Sequence, residues 1–359
     1  MRRLSLVAGS VLLLLGLGLL WTLSSSSSFS GQPVPSDRLP SPRPQARTTR
    51  QVQPVMLQQV RLFGREALLY TVDFIHAGPE ATVYVLDRGR HQVLRFDLKT
   101  GRLLQRYGKG PGEGPGEFQM ITDFKVDRAG RVYVCDPVNA RITLFAPDGQ
   151  LLATLSLDRP PYGLALMADA LLVIQLLRAR SDGLFEVYRL EQKPDGAYRL
   201  RFLRRFGEFL KNQAAFSLLL DGRLTGADSF FVYAPRRIGW LTAFYPDGRL
   251  RFHRETIDPI PIPRLVRRGD VEQVDRKAPI ATYELTVDGP RLYTWSKGRD
   301  GQAYVDVYSA YTGDYQFSLP LDLKGLIDVQ DSLIYAAHDT LVTVWRWRPA
   351  VPDSEGSSS

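Results

Sequence analysis

The glycine-rich run at 108–117 is the stretch whose composition most suggests chemistry, because glycine-rich loops can cradle phosphate groups with backbone N–H donors. A Walker-type loop ends in Gly-Lys-Ser/Thr, whereas here Lys109 stands near the start and Gly110 follows it. Pro111 and Pro115 also lack the N–H groups that a phosphate cradle needs. The run therefore predicts a connection between sheets and not a nucleotide site.

Histidine and cysteine offer little for metal or nucleophilic chemistry. Catalytic zinc needs three clustered protein ligands, and the four histidines do not fall at matching positions along the chain. Cys135 stands in an apolar strand pattern, which predicts an inert core thiol, and a single cysteine excludes an intrachain disulfide. The Gly-x-Ser-x-Gly and His-Glu-x-x-His motifs do not occur, so the sequence indicates no catalytic residue and no metal ligand set. The histidines are His76, His91, His253 and His338.

Three arginines form the clearest candidate binding group. Arg264, Arg267 and Arg268 lie in the irregular segment Thr256–Ala278, which nearby prolines stiffen. We expect this segment to contribute to a partner surface that attracts acidic groups; the alternative is a solvated loop. The net charge of +8 also suits anionic lipid head groups or glycans.

Four short strands, joined by turns, follow the glycine-rich run. The pattern predicts strands at Ile121–Val126, Val132–Cys135, Ile142–Phe145 and Gln150–Leu155, which would pair as one antiparallel sheet. One such sheet cannot bury both of its faces and needs copies of itself to stack on.

The copies are visible as repeats. Val83–Asp87 matches Val132–Asp136, and 241–250 repeats the second half of the unit. Six aromatic anchors recur at blade-sized intervals of about 40–50 residues. The sequence therefore predicts an all-β fold, a six-bladed β-propeller of four-stranded antiparallel blades. The anchors are Phe96, Phe145, Tyr188, Phe244, Tyr308 and Trp345.

The predicted last blade is one strand short. Val55–Phe63 is strand-like and precedes the first blade, so we expect it to supply the missing outer strand and close the ring; the alternative is an extended linker on the surface. Helical periodicity is scarce, and Glu208–Leu220 and Val266–Val274 are the best candidates for short helices between blades.

The repeat motifs resemble an NHL repeat: Gly-Pro-Gly-Glu-Phe at 114–118, Val-Tyr-Val-x-Asp at 132–136, Asn139 to Ile142, and Phe-x-x-Asp-Gly at 145–149. The whole chain resembles the six-bladed NHL-like propellers of exported bacterial proteins, closely over 83–155 and only in architecture over 160–349. Members of this family bind proteins, nucleic acid or small ligands, and a few relatives are enzymes.

The enzyme relatives imply two kinds of metal site. Amidating lyases resemble this fold and use a histidine-bound zinc, whereas gluconolactonase-type propellers hold a divalent cation with Glu, Asn and Asp; the Trp-x-Glu-Gly-Pro pattern of the latter does not occur here. Asp73 and Asp123 fall at similar points in the first strands of blades one and two, where side chains approach the channel. A divalent-cation site at these residues is one possibility. The alternative is that the two carboxylates are solvated or only line the channel.

An N-terminal segment indicates export. Arg2 and Arg3 precede the uncharged run Leu4–Leu23, which could stay as a membrane anchor or be cleaved as a signal peptide. Residues 24–54 are rich in serine, proline and arginine and are predicted to be a disordered linker, as is the tail 350–359. The propeller is expected at 55–349, facing the periplasm or outside.

We therefore expect an exported, membrane-tethered propeller that acts as a ligand- or protein-binding scaffold without a cofactor. Nucleic acid is a disfavoured partner, because an exported domain meets little of it. The alternative is a metal-dependent hydrolase or lyase with its site at the central channel. A non-enzymatic role is favoured, since no catalytic motif occurs.

Overall fold

The computed structural model describes residues 39–64, 69–180, 183–208, 219–269, 271–275, 277–321 and 325–349. Strand β1 (Val55–Phe63) precedes six sequential groups of strands. The first three groups form four-stranded antiparallel blades. They are β2 (Val72–Gly78), β3 (Thr82–Asp87), β4 (Gln92–Asp97) and β5 (Leu103–Tyr107); β6 (Asp123–Val126), β7 (Val132–Asp136), β8 (Arg141–Phe145) and β9 (Leu151–Ser156); β10 (Pro161–Met167), β11 (Leu171–Arg180), β12 (Gly183–Gln192) and β13 (Tyr198–Phe206).

The second half repeats the pattern with one insertion between blades four and five. The sixth blade takes only three strands from the C-terminal part of the chain. The elements are β14 (Gly222–Gly226), β15 (Phe231–Pro235), β16 (Trp240–Phe244) and β17 (Leu250–Glu255); the inserted β18 (Leu265–Arg268) and β19 (Val271–Val274); β20 (Glu284–Asp288), β21 (Arg291–Lys297), β22 (Ala303–Ser309) and β23 (Tyr315–Pro320); β24 (Leu326–Gln330), β25 (Leu333–His338) and β26 (Leu341–Pro349).

The first strands of the blades form the innermost ring of the molecule. Each of β2, β6, β10, β14, β20 and β24 contacts the next one, and β24 contacts β2 again. The six-bladed propeller predicted from the repeats is therefore confirmed.

Six separate hydrophobic cores hold the ring together, one between each pair of neighbouring blades. Each predicted aromatic anchor lies in the third strand of its blade and packs in a different core. The cores exist because a sheet with two apolar faces must bury both, and stacking against two neighbours does so. Cys135 is completely buried in the core between blades two and three.

Strand β1 closes the ring, as predicted. It pairs antiparallel with β26 as the outermost strand of the sixth blade, from Val55 opposite Pro349 to Phe63 opposite Val342. Phe63 is buried against Phe96 of the first blade, with ring centroids 5.0 Å apart. The N-terminal and C-terminal parts of the chain therefore share one sheet, which leaves no unpaired edge on β26.

The prediction of a disordered linker over 24–54 is wrong for its second half, residues 39–54. This segment, which we call the strap, runs along the outer strands of blades four and five before it enters β1. Its backbone pairs with His253 and Glu255 on β17 and with Ser318 on β23 at 2.8–3.0 Å. Composition misled the prediction because backbone bonds and polar side chains hold most of the strap, although Leu39 also packs against a hydrophobic core. Residues 24–38, 1–23 and 350–359 lie outside the described residues.

The two helix predictions have different outcomes. Val266–Val274 is not a helix, because Leu265–Arg268 and Val271–Val274 pair as an antiparallel hairpin. β-branched valines at both strands favour this extended conformation. Most of Glu208–Leu220 lies outside the described residues. Within the part of the chain that the structure describes, no helix has the length and apolar character needed to cross a bilayer.

The glycine-rich run is an inter-blade connection, between β5 and β6. The Arg141 guanidinium donates to the carbonyls of Glu113, Gly114 and Glu117 at 2.8, 3.0 and 2.5 Å. Asn139 Nδ2 donates to Gly112 O at 3.1 Å. The carbonyl oxygens of the loop therefore accept hydrogen bonds from side chains of blade two. A phosphate-binding loop instead presents backbone N–H donors to its ligand.

Candidate functional site

Chain direction divides the loops between two faces of the propeller. Because strands alternate in direction, the connections between blades and the turns between second and third strands share one face, which we call the connection face. The other turns share the opposite face, which we call the hairpin face. The channel enclosed by the first strands opens on both. Long irregular segments, including 256–283, belong to the connection face.

The opening on the connection face, the connection mouth, is a cavity of about 460 Å³. It is formed by the starts of first strands and by turns between second and third strands. Its lining is strongly polar, with three arginines, two aspartates, a histidine and a tyrosine. The lining residues are Val72, Asp73, Phe74, Arg88, Thr122, Tyr162, Arg223, Arg236, Gly325, Leu326, Ala337, His338 and Asp339.

The opening on the hairpin face, the hairpin mouth, is a cavity of about 520 Å³. Its charged groups are mutually engaged: Lys125 Nζ lies 3.2 Å from His76 Nε2, and His76 Nδ1 lies 3.7 Å from Asp328 Oδ2. Ala77 N donates to Asp328 Oδ2 at 2.8 Å. Burial would raise the pKa of Asp328, but the hydrogen bond and charge of His76 outweigh it and hold that pKa below its usual value.

Ion pairs constrict the channel between the two mouths. Arg223 Nε donates to Glu284 Oε1 at 3.0 Å and to Tyr283 O at 2.9 Å, and its guanidinium lies 4.9 Å from the centre of the Phe74 ring. Burial raises the pKa of Glu284, while Arg223 opposes the shift. The remaining cavity at this constriction is about 10 Å³, roughly the space for one water molecule. The connection mouth is therefore closed at its base.

The two predicted aspartates lie in the channel but are engaged with the protein. Asp123, in β6, accepts from Lys125 Nζ at 3.0 Å and from Leu164 N of the next blade at 2.8 Å. Asp73, in β2, lines the connection mouth and forms an ion pair with Arg88. Among the described residues, no three His, Cys, Asp or Glu side chains are grouped to hold a metal ion. The divalent-cation site stays a prediction without a ligand set.

The four histidines lie in four different environments. His76 faces the hairpin mouth, and His338 lies in the connection mouth, 2.9 Å from Asp339. His91 Nδ1 lies 2.9 Å from Phe118 O beside the glycine-rich loop. His253 is buried in blade four, where Nδ1 lies 2.8 Å from Thr242 Oγ1 and burial lowers the pKa to about 4. This arrangement does not fit the histidine-bound zinc of the amidating lyases.

The predicted arginines are on the connection face but not in the mouth. Arg264 precedes β18, Arg267 and Arg268 belong to it, and Arg264 and Arg267 are exposed. The side chain of Arg268 lies outside the described residues. The residues that follow Thr256–Ala278 contact the mouth, since Ala281 N and Thr282 N donate to Arg236 O at 2.7 and 3.2 Å.

The arginines of the mouth itself were not predicted from the sequence. Arg223 lies near the start of the first strand of blade four, and Arg88 and Arg236 lie in turns between second and third strands. Aligning the repeats by strand would have placed a charged or polar residue from several blades at the same end of the channel. The third and fourth repeats are too weak in sequence for their strands to be aligned with those of the first two.

Comparison with known proteins supports the fold. A family model described as a 6-bladed beta-propeller matches residues 68–173. A Caenorhabditis elegans protein named as a probable peptidyl-alpha-hydroxyglycine alpha-amidating lyase, pgal-1, is 36% identical over 76 residues, which are 20% of this chain and 22% of that protein. The chain thus spans about a fifth of the length of this curated relative.

Solved structures share the architecture at low identity. A Bacteroides fragilis protein described as exported aligns with a TM-score of 0.54 at 11% identity, over 86% of this chain and 99% of that chain. A virginiamycin B lyase from Staphylococcus aureus aligns with a TM-score of 0.49 at 12% identity, over 82% of this chain and 99% of that chain. At 11% identity, the similarity to the Bacteroides fragilis protein shows the fold alone.

Proposed function

We propose that this six-bladed β-propeller is an exported, membrane-tethered binding module whose ligand site is the connection mouth. One observation supports the assignment above others: the mouth is a polar cavity that ends at an ion-paired constriction and contains buried groups without partners. Within the described residues, Arg236 Nε and Thr122 Oγ1 have no hydrogen-bond partner. Buried polar atoms are nearly always bonded, so such atoms in a cavity indicate a place for a ligand or ordered water.

The opposite opening is a weaker candidate. In the hairpin mouth Lys125, His76 and Asp328 lie close to one another, and Asp328 also accepts a backbone bond. A charge that is already paired gains less from a ligand than an unpaired one, because the existing pair must first be broken. The connection mouth is therefore the better ligand site.

A site-directed block distinguishes the two mouths. His338→Cys places a thiol in the connection mouth and Gln330→Cys places one in the hairpin mouth, while the only native cysteine, Cys135, is fully buried. Each variant is prepared with and without a bulky maleimide label and incubated with a small-molecule extract of the source cells. Native mass spectrometry then measures the mass of each form. We expect a ligand adduct on the unlabelled variants and on labelled Gln330→Cys, but not on labelled His338→Cys. No adduct on any form, or an adduct that only the Gln330 label removes, would contradict the proposal.

The hairpin β18–β19 adds a second contact region on the same face. We propose that Arg264, Arg267 and Arg268 attract an acidic protein partner, because the first two are exposed and the segment continues into the wall of the mouth. Changing all three to Ser should weaken capture of the partner in native membranes, most strongly at low salt, and leave the melting temperature nearly unchanged. Unaltered capture at every ionic strength would remove the hairpin from the binding surface.

The alternative function is a lyase or hydrolase at the channel, favoured by the short similarity to the amidating lyase. The separated histidines and the engaged Asp73 and Asp123 count against a zinc or calcium centre. Metal analysis of the purified protein separates the two proposals: one equivalent of zinc or calcium per chain would favour the enzyme, and substoichiometric metal would favour the binding module.

Export is part of the proposal and is supported by Arg2, Arg3 and the uncharged run Leu4–Leu23. The positive-inside rule would place the arginine pair in the cytoplasm and the propeller outside. The membrane is then a partner through the N-terminal segment. Of the predicted linker, 39–54 is bound to the blades, and we call the remaining residues 24–38 the tether.

A further inference from the structure

We propose that the ligand of the connection mouth carries an oxyanion, either a carboxylate or a phosphate, that is bound by the guanidinium of Arg236. This inference rests on the proposed function, since it names the chemical class that the same site would recognise. It follows from a comparison of the three arginines that line the mouth and from the donors around them.

Two of the three arginines are already neutralised. Arg88 forms an ion pair with Asp73, and Arg223 forms an ion pair with Glu284 across the constriction. Arg236 differs, because its guanidinium makes no ion pair with any described residue and its buried Nε has no acceptor. A guanidinium presents a planar fork of N–H donors that matches the oxygens of a carboxylate or phosphate.

The backbone of Arg236 is fixed in place before any ligand arrives. Arg236 N donates to Asp221 O at 2.7 Å, and Arg236 O accepts from Ala281 N at 2.7 Å and from Thr282 N at 3.2 Å. These bonds join the turn to the connections on both sides of blade four. A fixed backbone removes part of the conformational freedom that Arg236 would otherwise lose on binding a ligand.

Two further donors line the same cavity. The hydroxyl of Thr122 is buried without a partner. Burial, followed by the charge and the hydrogen bond of Asp221, raises the pKa of Tyr162 well above its usual value, so its phenol stays protonated and would have to leave Asp221 to donate to a ligand. A guanidinium and two hydroxyls around one cavity form a donor set, and an oxyanion is the acceptor group that complements it.

Substitution of Asp221 serves as a control, because its expected effect on anion binding is opposite to that of substituting Arg236. Its carboxylate lies beside Tyr162, outside the lining of the mouth, and Oδ1 has no hydrogen-bond partner among the described residues. A nearby negative charge weakens the binding of an anion. Removing that charge should therefore strengthen binding, whereas removing the charge of Arg236 should weaken it. A neutral ligand would not respond in this way.

Calorimetric titration with citrate and with inorganic phosphate tests the inference on the full chain. We expect saturable binding of at least one anion, at least about tenfold weaker for Arg236→Gln and partly retained in Arg236→Lys. Asp221→Asn should bind a few-fold more tightly, and Arg47→Ser, which changes an exposed arginine of the strap, should bind as the wild type does. Saturable binding of citrate but not of phosphate assigns a carboxylate ligand, and saturable binding of phosphate but not of citrate assigns a phosphate ligand.

Two results would overturn the inference. One is the lack of saturable binding of both anions by the wild type at millimolar concentration, and the other is unchanged binding by Arg236→Gln when its thermal unfolding shows a folded protein. A wrong ligand class can be distinguished from a wrong ligand site. A cell-extract adduct that the His338→Cys label removes but that Arg236→Gln retains would keep the mouth as the site and discard the anion.

Discussion

Gln45 and Tyr315 are joined through a buried hydrogen bond, in which the Tyr315 backbone N–H donates to Gln45 Oε1 at 2.8 Å. Gln45 Nε2 also donates to the carbonyls of Glu255 and Gly313, at 2.6 and 3.0 Å. One glutamine side chain thus links the strap to blades four and five. Since the strap continues directly into β1, the N-terminal part of the chain holds three consecutive blades together.

Arg50 is the main ionic attachment of the strap. Its guanidinium forms ion pairs with Asp306 and Asp258 and lies 4.1 Å from the centre of the Tyr304 ring. The Asp306 side chain is only 2% exposed. Arg50→Ala leaves the charge of this buried carboxylate uncompensated. We therefore expect the free energy of unfolding to decrease by about 3 kcal/mol.

Chemical denaturation measures this effect, and Arg47→Ala is the matched control. Arg47 is an exposed arginine of the same strap, and its substitution should change the free energy of unfolding by no more than about 0.5 kcal/mol. Equal stabilities of the two variants would show that the ion pairs of Arg50 contribute nothing.

The closing strand and the tether should respond differently to deletion. Removing 55–63 leaves β26 with an unpaired edge, so the protein should aggregate or unfold. Removing 24–38 takes away no residue of the described propeller and should leave its melting temperature unchanged. Size-exclusion chromatography and thermal unfolding of the two deletions check this prediction. Similar behaviour of both would count against closure by β1.

Buried His253 should make stability depend on pH. Burial lowers its pKa from 6.5 to about 4, so the folded protein keeps the ring neutral. As the pH falls from 6.5 toward 4, the unfolded chain takes up a proton that the folded chain does not, and the free energy of unfolding decreases. At about 1.4 kcal/mol per unit, the loss approaches roughly 3 kcal/mol near pH 4.

Unfolding measured between pH 7 and pH 4 tests the contribution of this histidine. His253→Gln should show a smaller decrease than the wild type. The slope is compared and not the absolute stability, because the substitution also alters packing against Trp240. Equal slopes for the wild type and His253→Gln would exclude the effect.

Topology of the chain can be tested in cells. If Leu4–Leu23 anchors the protein with its arginine pair inside, protease added to intact spheroplasts should clip the chain in the tether or degrade the propeller. A cytoplasmic protein serves as the control for membrane integrity. Complete protection of the propeller while lysed cells lose it would contradict export.

The sequence predicted the architecture because the repeats encode it locally. The Val-Tyr-Val-x-Asp strands, the aromatic anchors and the strand Val55–Phe63 all lie where they were expected. The strap was missed because its contacts depend on partners more than two hundred residues away, such as Ser318 for Gln53. Composition alone records no such partners.

The candidate site was predicted only in part. Asp73 and Asp123 were correctly placed in first strands near the channel, but their cation partners Arg88 and Lys125 were not foreseen. Arg236 was missed because its role depends on what it does not contact. An arginine without an acid partner cannot be recognised from sequence, since pairing is decided by the packing of neighbouring blades.

Location of the ligand is the most direct test of the central claim. A crystal structure of the protein soaked with the anion that binds in calorimetry should show that anion in the connection mouth, with its oxygens in hydrogen-bond contact with the Arg236 guanidinium, and the Arg236→Gln crystal should lack it. An anion bound elsewhere while the connection mouth holds only water would contradict the account.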